Sequence, residues 1–248
     1  MKVNAKEIKR LLAIKNLVYD DFKIDFLYNS NHLEGSTFTK ENLEKLLSLK
    51  KVEGEHYLDD VIETKNSLNV FDKVINDSDK KLDKFMLFDW HRELKKDSVD
   101  EEIHNTGCWK KYENKLRNID LKLAYPDEVD NRMFNLLMDW NELMNPTIED
   151  IAKFHYRFEL IHPFQDGNGR IGRFIILKQC IESDIDLIAI DNEYEKEYKE
   201  ALYKAQKTDD VSFLVDVFSK CQKRLDEKMT DYKNTIDLVK KEIESEDR

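Results

Sequence analysis

Apolar residues return every three or four positions along most of the chain, a spacing that predicts helices. Ile8, Leu11 and Leu12 open the series, with Ala5 as a further candidate and Leu17 and Val18 beyond. Phe22, Phe26 and Leu27 form a second group that runs into Asn29–Gly35, where Gly35 is placed as a helix stop. Thr39 is placed as an N-cap, with Glu41 in the first turn and Leu43, Leu46 and Leu47 behind it. Tyr57–Val74, Leu82–Leu94 and Glu128–Leu143 also read as helices. Asn145-Pro146-Thr147 ends one helix and caps the next, which holds Ile148, Ile151, Ala152, His155 and Phe158. Ile171–Ile181 is apolar almost all round, so it is expected at the centre of the fold. Asn192 followed by Glu195 reads as a capping-box-like start.

Two stretches depart from this pattern. Leu214, Phe218, Cys221, Leu225, Met229, Tyr232, Ile236, Val239 and Ile243 step by three and four without interruption. They predict one long amphipathic helix over 211–248, packed on its own domain or, as a homo-oligomer, against another chain. Lys115–Tyr125 instead alternates apolar and polar residues with period two, the only strand signal of any length, and predicts a small β-hairpin. The expected fold class is therefore all-α, a helical bundle with a β-hairpin flap.

Composition supports helices. The 248 residues include only 6 Gly and 3 Pro, few breakers for a sandwich or barrel. Charged residues make up 38%, yet 13 Phe, 10 Tyr and 3 Trp argue against disorder. With 41 Lys+Arg against 52 Asp+Glu, the net charge of −11 disfavours a nucleic-acid binder. Cys108, Cys180 and Cys221 are too few and too scattered for a disulfide framework or a C-x-x-C site. No secretory signal is visible and no apolar run is long enough to span a bilayer, so no membrane partner and a cytoplasmic location are expected.

Candidate chemistry concentrates in His162-Pro163-Phe164-Gln165-Asp166-Gly167-Asn168-Gly169-Arg170-Ile171-Gly172-Arg173, a loop leading into the buried helix. Gly167, Asn168 and Gly169 let the backbone turn tightly and aim N–H groups together. The helix N-terminus adds partial positive charge. Arg170 and Arg173 share one face beside it. Together they form an anion site suited to more than one phosphate. Asp166 belongs in such a site only with a cation, and Mg²⁺ or Mn²⁺ bridging carboxylate and phosphates supplies one. His162 is the natural proton acceptor. Gly167, Gly169 and Gly172, with Asp191 further on, imitate a dinucleotide-binding fingerprint. The context excludes it, because a capped helical pattern precedes the glycines and no parallel strands surround them. No G-x-x-x-x-G-K-S/T occurs anywhere.

The stretch resembles the Fic-domain signature H-x-F-x-D/E-G-N-G-R-x-x-R. Each specified position is met, by His162, Phe164, Asp166, Gly167, Asn168, Gly169, Arg170 and Arg173. Phe154–Ile161 also looks like the family's lead-in helix. The resemblance covers roughly residues 56–210, which divides the chain into N-terminal helices over 1–55, a Fic core over 56–210 and the C-terminal helix over 211–248. It implies a protein adenylyltransferase, moving AMP from ATP to a Ser, Thr or Tyr hydroxyl of a target protein or of itself, with release of pyrophosphate. In family terms His162 deprotonates the hydroxyl and Asp166 holds the metal. Gly167, Asn168 and Gly169 hold the α-phosphate region, and Arg170 and Arg173 hold the β- and γ-phosphates. The hairpin, through Leu116, Arg117, Asn118, Ile119, Leu121 and Leu123, would match the flap that aligns the target segment.

Upstream, Ser30-Asn31-His32-Leu33-Glu34-Gly35 resembles the family's inhibitory motif, S/T-x-x-x-E-G/N, with Ser30, Glu34 and Gly35 at its fixed positions. Its place before the core implies class II, the subclass with an N-terminal inhibitory helix. Glu34 is then expected to take the Arg173 guanidinium from the γ-phosphate. Removal of AMP, or transfer of another phosphate-containing group, is a neighbouring expectation within the family. A non-catalytic nucleotide-sensing module is the alternative of another class.

Overall fold

The computed structural model describes residues 1–13, 17–103, 105–114 and 121–246. The helices in chain order are α1 (Ala5–Ala13), α2 (Leu17–His32), α3 (Lys40–Leu49), α4 (Leu58–Asn76), α5 (Lys84–Leu94) and the short α6 (Val99–Glu102). They continue as α7 (Val129–Asn141), α8 (Ile148–Ile161), α9 (Asn168–Glu182), α10 (Glu195–Thr208), α11 (Ser212–Lys228) and α12 (Lys233–Glu246). The fold is all-α, and no strand occurs among the described residues.

Helix α9 is the axis of the bundle. Ile171, Phe174, Ile175, Ile176, Leu177, Cys180 and Ile181 are all buried, as its near-continuous apolar sequence requires. Helices α2, α4, α5 and α8 all touch it. Phe26 of α2 meets Phe174 of α9 with ring centroids 5.5 Å apart. Phe22 and Phe26 both pack on Phe71 of α4, at 5.7 and 5.6 Å. The N-terminal helices thus share one continuous core with the rest of the chain. That sharing anchors the end of α2, which carries Ser30 and leads to Glu34.

Several sequence-placed ends recur. Thr39 caps α3 by accepting from the Asn42 N–H at 3.1 Å, and Gly35 turns the chain after α2 at φ +87°. Thr147 and Asp150 form a reciprocal capping box at the start of α8. Asn192 is not a cap. Asp191 is, accepting from the Glu193 N–H at 3.0 Å, while Asn192 lies in a 3₁₀ turn, its N–H donating to Asn29 Oδ1 at 3.1 Å.

The single long C-terminal helix is corrected. The stripe is buried as expected, but the chain breaks after α11 at a 3₁₀ turn over Thr230–Tyr232 and returns as α12 against α1. A straight continuation would carry Ile236, Val239 and Ile243 away from the core, whereas the break buries all three. The Tyr232 hydroxyl donates to Asp21, which ties the turn to α2. The stripe therefore packs on its own domain. The hairpin expectation falls partly on Leu116, Arg117, Asn118 and Ile119, which lie outside the described residues. Leu121–Tyr125 is not a strand; Leu123 and Ala124 are buried, and the Ala124 N–H donates to the Leu160 carbonyl at 3.4 Å. The three cysteines are free. No helix among the described residues is long and apolar enough to cross a membrane.

Candidate active site

The site is the connection from α8 to α9. His162 caps α8 in a left-handed conformation at φ 51°, which a non-glycine residue adopts only when its surroundings hold it. The hold is visible. Lys110 N–H donates to the Pro163 carbonyl at 2.7 Å, and Lys110 Nζ donates to the Ile161 carbonyl at 3.1 Å. Phe164 is fully buried and stacks on His91 with centroids 4.1 Å apart. Asn168 closes the loop, accepting from Phe164 N–H at 2.8 Å and donating to the Phe164 carbonyl at 2.9 Å. Its side-chain amide is thus committed to shaping the loop, whereas the sequence reading assigns Gly167, Asn168 and Gly169 together to the α-phosphate region. Gly167 precedes α9 at φ +79°, another left-handed position.

Burial, with the charge of Lys110, lowers the His162 pKa to about 4. The imidazole is therefore neutral near pH 7 and able to accept a proton. Its Nδ1 lies 3.8 Å from Glu159 Oε2. Burial, with the Glu34 carboxylate nearby, pushes Glu159 up to about 8, so this carboxyl is mostly protonated at neutral pH. Gly172 makes its room, since a Cβ there would lie 2.5 Å from Glu159 Oε1.

Arg170 and Arg173 both lie in the first turns of α9, and carboxylates from other segments, Glu63 of α4 and Glu34 just after α2, hold them. Arg173 Nη2 donates to Glu34 Oε1 at 2.7 Å and to the Ser30 carbonyl at 2.8 Å, while Nε donates to Ser30 Oγ at 2.8 Å. The Glu34–Arg173 pair joins residues 139 apart in sequence. Burial alone would raise the Glu34 carboxyl, but Arg173 and Arg170 outweigh it and keep it below the ordinary glutamate value. Gly169 permits the approach, because a Cβ there would collide with Glu34 Oε1. Arg170 Nη1 pairs with Glu63 of α4, and its Nη2 lies 3.8 Å from Asp166 Oδ2.

Asp166 pairs with Lys95 at the end of α5. Burial would raise the Asp166 carboxyl, but Lys95 and Arg170 hold it at about 2. Oxygens of Asp166, Glu63 and Asp100 all lie within 4.8 Å of one another. Three hard carboxylate donors at this spacing fit Mg²⁺ or Mn²⁺.

Two cavities meet at Glu34. One of 260 Å³ is lined by Glu159, His162, Gly169, Arg173 and Tyr198. The other, of 210 Å³, is lined by Asp60, Glu63, Asp166 and Arg170. The structure thus gathers His162, Asp166, Gly167, Asn168, Gly169, Arg170, Arg173, Ser30 and Glu34, with Gly35 making the turn. Leu121 and Leu123 make no contact with these groups that places them in the site. Sequence reading missed Glu159, Glu63, Lys95 and Asp100. Glu159, three residues before His162, carried a local signal as the only charge between Phe158 and His162. The others carried none.

A helical bundle whose axial helix receives a His-to-Arg loop at its N-terminus is the Fic architecture. Residues 81–180 match the Fic/DOC family. In sequence it is 34% identical over 85 residues to "Probable protein adenylyltransferase aq_aa38" of Aquifex aeolicus (strain VF5). That match spans 33% of this chain and only a quarter, 25%, of the relative. In structure it is similar to a Fic-domain-containing signaling protein from Bacteroides thetaiotaomicron VPI-5482, with TM-score 0.75 and 26% identity, over 88% of this chain and 94% of that one. Fic-1 (residues 134–508) from C. elegans shares the fold, with TM-score 0.70 and 18% identity, over 86% of this chain and 63% of that one.

Proposed function

We propose that the chain is a class II protein adenylyltransferase, transferring AMP from ATP to a Ser, Thr or Tyr hydroxyl of a protein and restrained by Glu34. The observation that carries this reading is the neutral His162 facing, across one loop, two buried arginines at the N-terminus of α9. His162 accepts the proton of the attacking hydroxyl. The hydroxyl oxygen bonds to the α-phosphorus as the bond to the β-phosphate oxygen breaks, and pyrophosphate leaves. Arg170 and Arg173, once free of their carboxylates, neutralise the charge that develops on the leaving phosphates. The Gly167–Gly169 backbone and the helix end orient the α-phosphate region. Asp166, with Glu63 and Asp100 beside it, would hold Mg²⁺ or Mn²⁺, which when bound offsets phosphate charge.

Glu34 supports the autoinhibited reading, because it takes a phosphate ligand and adds negative charge where a polyphosphate would sit. The same ionised carboxylate, lining both cavities, also favours a second reading within the family, removal of AMP by a water that Glu34 orients. Incubation with α-³²P-ATP and Mg²⁺ tests the proposal by comparing wild type with Glu34→Gly. Label on protein, including on the enzyme itself, is expected, stronger for Glu34→Gly and absent with excess EDTA. No label from either form would leave a nucleotide-sensing module.

A further inference from the structure

Lys95 ends α5 with its side chain 1% exposed. Its Nζ lies 2.6 Å from Glu63 Oε1 and 2.9 Å from Asp100 Oδ2, and it also bonds Asp166. These are the same three carboxylates whose spacing fits a divalent ion. A Mg²⁺ ion binds oxygens at about 2.1 Å, so it would draw such a set inward by less than an ångström. The ammonium therefore stands where the ion would stand.

We propose that Lys95 is a tethered cation that occupies the metal position of Asp166 in the nucleotide-free protein, so that a divalent ion reaches Asp166 only by displacing the ammonium. The inference rests on the reading of Asp166 as the metal-holding carboxylate. Glu63 and Asp100 border both positions, so Lys95 keeps carboxylate neighbours as Asp166 turns to the ion. The loop stays in place meanwhile. His91, one turn before Lys95 on α5, accepts the Gly107 N–H at Nδ1 (3.0 Å) and so donates from Nε2 to the Asp166 carbonyl, also at 3.0 Å. The backbone of Asp166 is thereby fixed by α5 while its carboxylate exchanges partners. A free ion meets a site already filled by positive charge. An ion carried in on a polyphosphate brings negative charge with it, so Lys95 favours loading of metal and nucleotide together.

The test measures Mn²⁺ binding to the nucleotide-free full chain by electron paramagnetic resonance, with thermal melting in EDTA and in Mn²⁺ alongside. Lys95→Met is expected to bind Mn²⁺ at least about tenfold tighter than wild type, because a like charge a few ångström from the ion is gone. It should also gain more melting temperature from Mn²⁺ than wild type does. The gain should vanish in Lys95→Met with Asp166→Asn. If Lys95→Met does not fold without metal, Lys95→Gln, which keeps a hydrogen-bond donor, takes its place with the same expectation. Mn²⁺ binding no tighter than wild type in the folded variant overturns the proposal. Tightening that survives Asp166→Asn overturns it too, since the ion then lies elsewhere. AMP transfer enters no arm of this test, so failure of the proposed transferase activity would be seen separately.

Discussion

Arg170 and Arg173 lie one helical turn apart on α9, yet they are held in different ways. The three Arg173 hydrogen bonds to Ser30 and Glu34 come from one short segment at and just after the end of α2, with Tyr198 of α10 as a further neighbour. Arg170 is held by Glu63, which also binds Lys95, which in turn binds Asp166 and Asp100. The first arrangement is a single latch whose release frees one guanidinium. The second is a mesh in which Lys95, Glu63, Asp166 and Arg170 each have more than one partner, so removing one member leaves others uncompensated. Under the proposed function, the Arg173 side is the regulated one and the Arg170 side the framework of the phosphate and metal site.

The sharpest way to break this comparison is to ask whether release of the latch reaches the chemistry. In a Glu34→Gly background, His162→Ala should lower AMP transfer by roughly 10²–10⁴-fold, because the proton acceptor is gone. Nucleotide binding, read by calorimetry, should largely survive. Full transfer by the double variant would show that His162 is not the base.

Next in size is the difference between the two carboxylates. Glu34→Gly should raise transfer by at least about tenfold, the equivalent of ~1.4 kcal/mol at the transition state. Glu63→Gln should give no such rise, since it leaves Lys95 and Arg170 short of counter-charge rather than free. Equal activation by both, measured as label incorporated per minute, would erase the distinction between latch and mesh.

Ser30→Ala should act on the latch more weakly. It removes the Arg173 Nε acceptor, and one such hydrogen bond is worth about 1 kcal/mol net, so transfer should rise by no more than about fivefold. A rise equal to that of Glu34→Gly would shift the inhibition from charge to the placement of α2.

The smallest effect concerns stability. Glu159 carries its proton up to about pH 8 in the folded protein, against 4.5 ordinarily. The folded state then binds the extra proton between those values, so stability falls as pH rises through them. Glu159→Gln stays neutral and should lose less. Melting temperatures taken at pH 5 and pH 8.5 should therefore drop by a few degrees more in wild type than in the variant. Parallel curves would place an ionised Glu159 in the native state.

Much of this was legible in the chain. Thr39, Thr147 and Gly35 mark helix ends because caps and left-handed turns are chosen by neighbours within a few residues. The all-round apolar run at Ile171–Ile181 marked the axial helix for the same local reason. His162, Asp166, Arg170 and Arg173 fall within twelve consecutive positions, so their shared loop and helix turn follow from spacing alone. The break after α11 was not legible. The spacing of its apolar residues is equally good for one helix or two, and only the position of α1 selects the bent form.

The sequence by itself determined the helices, most of their caps and the clustering of the groups proposed to face a polyphosphate. Tertiary structure decided which charges meet those groups, and of these pairings only Glu34 with Arg173 was expected, from the motif resemblance. Glu34 reaches Arg173 because Phe22 and Phe26 seat α2 against α4 and α9. Glu63, Lys95 and Asp100 converge on Asp166 because the second turn of α4, the end of α5 and the start of α6 lie beside the same loop. Periodicity and capping act over a single turn of helix, so they leave a local imprint in the order of residues. The ion pairs of Glu63, Lys95 and Asp100 leave none, because any of the many carboxylates and ammonium groups of this charged chain would look the same until packing of the apolar faces brings particular ones together.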